Sequence, residues 1–238
     1  MHKLSIAIDG PAGAGKSTIA KILAKKLNIL YLDTGAMYRT VAYGVLQKGA
    51  NLEDQEHVIR ILDSINIDVE HLDGMQRMYL DGIDVSEAIR STEISNASST
   101  VAVIPKVRLK LVKMQKEIAM HHSIVLDGRD IGTYVLPDAD IKFFLDATLE
   151  ERGQRRWKEM QGKGSCLTLQ NVTEDIRLRD LNDSSRDFAP LSKACDAITV
   201  DTTDKTIEQV VTEMLEYVNP IWEKSKESTG RAEVCSRI

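Results

Sequence analysis

The chain has 238 residues, 42% of them apolar and 28% charged, enough to bury a sizeable core. Its net charge of −5 speaks against a general nucleic-acid binder, and no apolar stretch is long enough to span a bilayer. Three cysteines, Cys166, Cys195 and Cys235, are far apart and outside any C-x-x-C pairing, which argues for a reducing compartment and against a disulfide framework or zinc site. The first apolar run ends at Asp9, too short for a secretory signal, so a cytoplasmic location is expected.

Leu4-Ser5-Ile6-Ala7-Ile8 reads as a buried parallel strand. It leads into Gly10-Pro11-Ala12-Gly13-Ala14-Gly15-Lys16-Ser17-Thr18, a full match to G-x-x-x-x-G-K-[ST]. Ile19, Ile22, Leu23 and Leu27 then recur at helical spacing. Strand, glycine-rich turn and helix in that order predict a phosphate-binding loop. Its glycines let main-chain N–H groups turn inward around phosphate oxygens, and the helix N-terminus adds partial positive charge. The whole run from Gly10 to Thr18 is the predicted ATP-binding segment, with Lys16 directed at the β- and γ-phosphates and the Ser17 hydroxyl at magnesium.

Further strands are predicted at Ile29–Leu32, Ile124–Leu126, Ile141–Leu145 and Ala197–Val200, all continuous apolar runs suited to burial on both faces. Between them lie helical stripes: Val107, Leu111, Met114 and Ile118 after Pro105, and Ile207, Val210, Met214 and Val218 near the end. Thr148 and Glu151 fit a capping box. The alternation implies a parallel sheet wound on both faces, with ligands at the carboxyl ends of its strands, where Asp9, Asp33 and Asp127 fall. Residues 65–85 alternate with period two around Asp73-Gly74 and Asp81-Gly82, predicting a small three-stranded antiparallel insert. The charged stretch from Arg152 to Arg186, interrupted by Gly162-Lys163-Gly164, reads as two helices and a connection, a candidate lid. Asn219 to Ile238 is polar and weakly patterned, a frayed helix and tail.

Several cationic residues stand at useful places. Arg39 follows the Asp33-Thr34-Gly35 turn, Arg129 lies in Asp127-Gly128-Arg129-Asp130, and Arg152, Arg155 and Arg156 share a helical face, as do Arg179, Asp183 and Arg186. Any one of them alone reads as a surface ion pair; beside a phosphate loop, the set suits a phosphoryl-transfer site. Asp127 closes an apolar strand where a Walker-B-type carboxylate belongs. It could hold magnesium through water, hydrogen-bond the phosphate loop, or pair with Arg129. Asp33 is open in the same way, as a base, a magnesium neighbour or a helix N-cap. Adjacent His121 and His122 read as a solvated helix end, and Ser99 as a cap or surface hydroxyl.

Residues 6–18, Leu32-Asp33-Thr34-Gly35-Ala36-Met37-Tyr38-Arg39, Asp127-Gly128-Arg129-Asp130-Ile131-Gly132-Thr133 and 183–191 together resemble the bacterial cytidylate kinases, a likeness that covers about Lys3 to Val218. The resemblance implies a nucleoside-monophosphate kinase of the P-loop α/β class, with five parallel strands, helices on both faces, a three-stranded insert and a helical lid. In residue numbers the expected division is a core of 1–61, 86–151 and 187–218, an insert of 62–85, a lid of 152–186 and a tail of 219–238. It further implies that Thr34, Arg39, Arg129 and Arg186 surround the acceptor phosphate, that Ser99, Arg108 and Asp130 contact cytosine, and that Arg179 and Asp183 contact the sugar. The implied reaction is ATP-dependent phosphorylation of CMP and dCMP with Mg2+, by Lys16, Arg129 and a lid arginine, Arg152 or Arg156. A monomer with no nucleic-acid or membrane partner is expected. Ser184 and Ser185 stand where many members carry charge, which leaves the R-x-x-x-D-x-x-R frame intact. Two rival readings are a kinase for a hydroxylated small molecule, with Asp33 as base, and a nucleotide-dependent switch.

Overall fold

The computed structural model describes residues 2–72, 74–162 and 164–235, with backbone only from 225 onward. Five strands, β1 (Ser5–Asp9), β2 (Leu30–Asp33), β6 (Ile124–Asp127), β7 (Ile141–Asp146) and β8 (Ile198–Asp201), form a parallel sheet in the order β2-β6-β1-β7-β8. Each begins within a residue or two of its predicted start, because a run buried on both faces shows plainly as an apolar block.

Alternate residues of these strands feed two cores. Ala7, Leu32, Ile124 and Leu126 pack against α2 (Thr34–Gln47) and α5 (Pro105–His121). Ile6, Ile8, Val125 and Phe143 pack on the other face against α1 (Lys16–Leu27) and α8 (Ile207–Cys235). The register of β2 with β6 sets Asp33 directly beside Asp127, so two carboxylates close adjacent strands at the same level.

The antiparallel insert is present as β3 (Ile67–Leu72), β4 (Met75–Leu80) and β5 (Ile83–Asp84). Asp81 and Gly82 join the last two with φ of 51° and 80°, the pair of positive angles that a two-residue primed turn requires. Asp73, in the other predicted turn, lies outside the described residues. Ile65 is not a strand residue. With Val58, Ile61 and Leu62 it completes the apolar stripe of α3 (Gln55–Ser64), whose helical period the strand-like alternation from Ile65 onward conceals.

Two elements position the cleft further. Helix α4 (Thr92–Val101) is capped by Ser91, whose Oγ accepts from Ile94 N at 3.2 Å. Helices α6 (Leu149–Gln161) and α7 (Leu169–Ser184) form a hairpin whose Met160, Val172 and Ile176 close over Ala12 of the glycine-rich loop. Thr148 caps α6 as expected, accepting from Glu151 N at 3.3 Å, but the Glu151 carboxylate goes to Arg155 at 2.9 Å, so only half of the capping box forms. Helix α8 continues through Pro220 to Cys235, past the expected fraying at Asn219. Among the described residues no helix is long and apolar enough to cross a membrane. His121 and His122 are exposed at the end of α5, and Cys166 and Cys195 are free and exposed.

Candidate active site

The loop between β1 and α1 is shaped by contact with its neighbour strand. Gly10 has φ of 146°, and a Cβ there would sit 2.0 Å from the Leu145 carbonyl oxygen, so no side chain fits. Lys16 is buried and donates through Nζ to Pro11 O at 2.6 Å, curled over the loop. Burial and the Arg129 charge depress its pKa well below the usual lysine range.

Asp127 bonds the phosphate loop. It accepts from Ser17 Oγ at 2.7 Å and from Tyr31 Oη at 2.8 Å, while Thr34 Oγ1 donates to its carbonyl at 2.7 Å. Arg129 turns elsewhere. Burial, then the neighbouring Asp33 charge, raise the Asp127 pKa. Asp33 caps α2, accepting from Ala36 N at 2.9 Å, and pairs with Arg39 at 2.9 Å.

The far end of the cleft is built on α4, α5 and the turn after β6. Arg108, only 1% exposed, pairs with buried Asp130, donates to Ala102 O at 3.3 Å, and lies 5.5 Å from the Tyr38 ring centroid. Ser99 lines the same wall from the last turn of α4 and is half-buried. Asp183 near the end of α7 holds two guanidiniums, Arg129 at 2.7 Å and Arg186 on its other oxygen. Arg179 donates to Ser95 Oγ at 3.2 Å, linking α7 to α4.

Positive charge is in excess. Burial, with Arg129 and Arg39 close by, lowers Arg179 to about 9; burial, with Arg108 and Arg129, lowers Arg186 to about 10. The Nε atoms of Arg108, Arg179 and Arg186 are buried without a hydrogen-bond partner. Such donors favour an anionic, acceptor-rich ligand. One continuous cleft of about 640 Å³ runs from the loop residues Ala12–Thr18, past Asp33, Thr34, Arg39 and Asp127, to Ser99, Arg108, Arg129, Asp130, Arg179, Asp183 and Arg186. Gly10 and Pro11 shape the loop from behind and do not line it.

The model of the cytidylate kinase family matches residues 6–220 of this chain. The chain belongs to the cytidylate kinase family. It is 55% identical over 219 residues to a cytidylate kinase of Clostridioides difficile (strain 630), covering 92% of this chain and 100% of that relative. It is 49% identical to the one from Caldicellulosiruptor bescii, over 91% of this chain and 96% of that relative. Among solved structures, an uncharacterized protein from Eubacterium ventriosum aligns with a TM-score of 0.54 at 12% identity, over 91% of this chain and 99% of that one, which speaks to fold alone. The protein is therefore a nucleoside-monophosphate kinase, an enzyme of phosphoryl transfer.

Besides Gly10 and Pro11, one expected site residue lies outside the cleft lining. Arg152 does not line the cleft. It is 7% exposed, donates to Ala147 O at 3.0 Å and Ala12 O at 2.9 Å, and pairs with Asp180. Asp180 in turn accepts from Ala12 N at 2.9 Å. The two side chains together clamp both polar groups of one loop residue. Helical-face arithmetic grouped Arg152 with Arg156 because i and i+4 are neighbours, but the hairpin packing turns Arg152 under the loop. Arg155 and Arg156 both line the cleft; Arg156 bonds Glu159 at 2.9 Å on its own helix, and Arg155 is tied down by Thr202 O at 2.6 Å. Sequence reasoning missed Asp180, Ser95 and the cleft-lining Tyr38; Asp180 was visible only as an acidic neighbour of Arg179.

Proposed function

We propose that this member of the cytidylate kinase family transfers the γ-phosphoryl group of ATP to CMP and dCMP, giving CDP and dCDP. The observation that carries this reading is a single cleft with a phosphate loop at one end and a buried Arg108–Asp130 pair at the other. In that reading Asp130 accepts from the cytosine N4 amino group, and Ser99 and Arg108 donate to its O2 and N3. Uracil would present an oxygen to the carboxylate and be repelled. Asp183 takes a sugar hydroxyl beside Arg179, while Thr34, Arg39, Arg129 and Arg186 receive the acceptor phosphate.

That phosphate needs no dedicated base, because its second pKa of about 6 leaves it mostly ionised near neutrality. Catalysis reduces to in-line positioning and charge neutralisation. Lys16 regains its proton affinity once phosphate oxygens surround it, and it follows the β- and γ-phosphates. Arg129, between the two nucleotides, offsets the charge that builds during transfer. Residues 152–186 act as the lid, which delivers Arg156, while Arg152 supports the loop from behind.

The donor set fits a magnesium ion that arrives with ATP. Asp33 and Asp127 are in register, Ser17 Oγ sits on Asp127, and the mutual repulsion of the carboxylates is what a divalent cation relieves. When bound, magnesium neutralises phosphate charge; Ser17 would hold it directly, with Asp127 and Asp33 through water.

The test is a coupled ADP-release assay across CMP, dCMP, UMP and AMP, repeated with Asp130→Asn. The parent is expected to favour CMP and dCMP, and the variant to lose about 10²-fold in kcat/KM for CMP and to narrow the CMP-over-UMP ratio, since a buried polar group loses its partner. Unchanged cytosine preference in the variant removes this account of base selection.

A further inference from the structure

The turn that carries Arg129 and Asp130 is anchored from beneath by a side chain outside the cleft lining. Asp9 is the last residue of β1, directly before Gly10, and is 3% exposed. Its carboxylate accepts from Ile131 N at 2.8 Å through one oxygen and from Gly132 N at 2.7 Å through the other. The Ile131 N–H belongs to the peptide that leaves Asp130. Holding it fixes ψ of Asp130, and with it the direction in which the Asp130 side chain departs toward Arg108.

We propose that Asp9 is a positioning residue for acceptor-base selection: through two successive amides it sets the Asp130–Arg108 pair and ties that setting to the phosphate loop. The inference rests on the cytosine reading of the cleft. A buried carboxylate is costly, but an apolar residue at this strand end would leave both amides without an acceptor. What only a carboxylate supplies is two acceptor oxygens on one rigid plane, each in a charge-assisted bond. Burial lifts its pKa to about 6 against the pull of the two amides; Asp130 adds to the rise, and Lys16 opposes it. Arg129, on the same turn, also feels the Asp9 charge.

The experiment is Asp9→Asn in steady-state assays with CMP, UMP and ATP. Asparagine keeps one acceptor oxygen and turns an NH2 toward the second amide, so one bond is lost and the Asp130 peptide is released. Expected are a rise of about tenfold in KM for CMP and a similar fall in the CMP-over-UMP ratio of kcat/KM, with KM for ATP within about threefold, as for the loss of one charge-assisted bond on the acceptor side. In an Asp130→Asn background the same change should leave the CMP-over-UMP ratio where it is, because both act through one carboxylate. Should Asp9→Asn not fold, Asp9→Glu asks the same question, keeping charge and both oxygens but carrying them one methylene too far. A folded variant with parental KM for CMP and parental base ratio overturns the assignment, as does a loss confined to ATP. A parent without cytosine preference removes the underlying reading and this assignment together, whereas a selective parent with an indifferent Asp9→Asn variant removes this assignment alone.

Discussion

A carboxylate that burial has lifted to about 6 is a charge the folded chain holds at some expense, and the expense depends on pH. For Asp9 the unfolded reference is 3.8, so the folded state binds the proton more tightly. The stabilising contribution is therefore fully present below pH 3.8 and is lost as pH rises through about 6. Converted at 1.36 kcal/mol per unit, the loss amounts to about 3 kcal/mol by neutrality. Urea unfolding of the parent and of Asp9→Asn at pH 4 and pH 7 should show the variant gaining on the parent by up to about 3 kcal/mol across that interval. A constant difference between the two chains would place the Asp9 charge in solvent-like surroundings. Residue roles of this kind were only partly legible in the sequence. The strand-end aspartates stood out, and the Asp33 helix cap and the Asp127 bond to the phosphate loop were among the readings offered, but Tyr31 on Asp127 and the two amides on Asp9 were not, because contacts across the sheet fix them.

At the scale of elements, the α6–α7 hairpin is fastened to the phosphate loop by the Arg152–Asp180 pair around Ala12. Removing one partner of a largely buried ion pair strands the other. Asp180→Ala should therefore cost about 3 kcal/mol of stability and raise KM for ATP, with Arg152→Ala giving a non-additive combination in thermal melts. Arg156→Ala, by contrast, breaks only an exposed pair with Glu159. It should leave the melting temperature within about 2 °C while lowering kcat by 10²-fold or more, as loss of a transition-state arginine does. Equal turnover in the Arg156 variant and the parent would take Arg156 out of the transfer step. The strands and the Asp81-Gly82 hairpin were readable because apolar blocks and turn residues are local signals. Helices α3 and α4 were not: α4 is rich in Ser, Thr and Asn, and its burial under α2 and the short 3-10 turn Ala88–Arg90 is decided by packing. Its Ser95 contact with Arg179 spans distant parts of the chain.

Across the whole molecule, one cleft joins a main-chain cradle for phosphates to a guanidinium-rich acceptor wall, and the excess of positive charge there awaits anions. Binding both nucleotides should raise the melting temperature beyond either alone, since ligand that binds only the folded state stabilises it by about 2.7 kcal/mol at a hundredfold excess over Kd. An ATP analogue and CMP that fail to shift the midpoint together would contradict a shared cleft. The most direct measurement follows phosphorus itself: purified protein with Mg-ATP and CMP, monitored by 31P NMR. Appearance of CDP and ADP in equal amounts, with little ADP when CMP is left out, is the predicted result; ATP consumed to free phosphate with no CDP formed would contradict it.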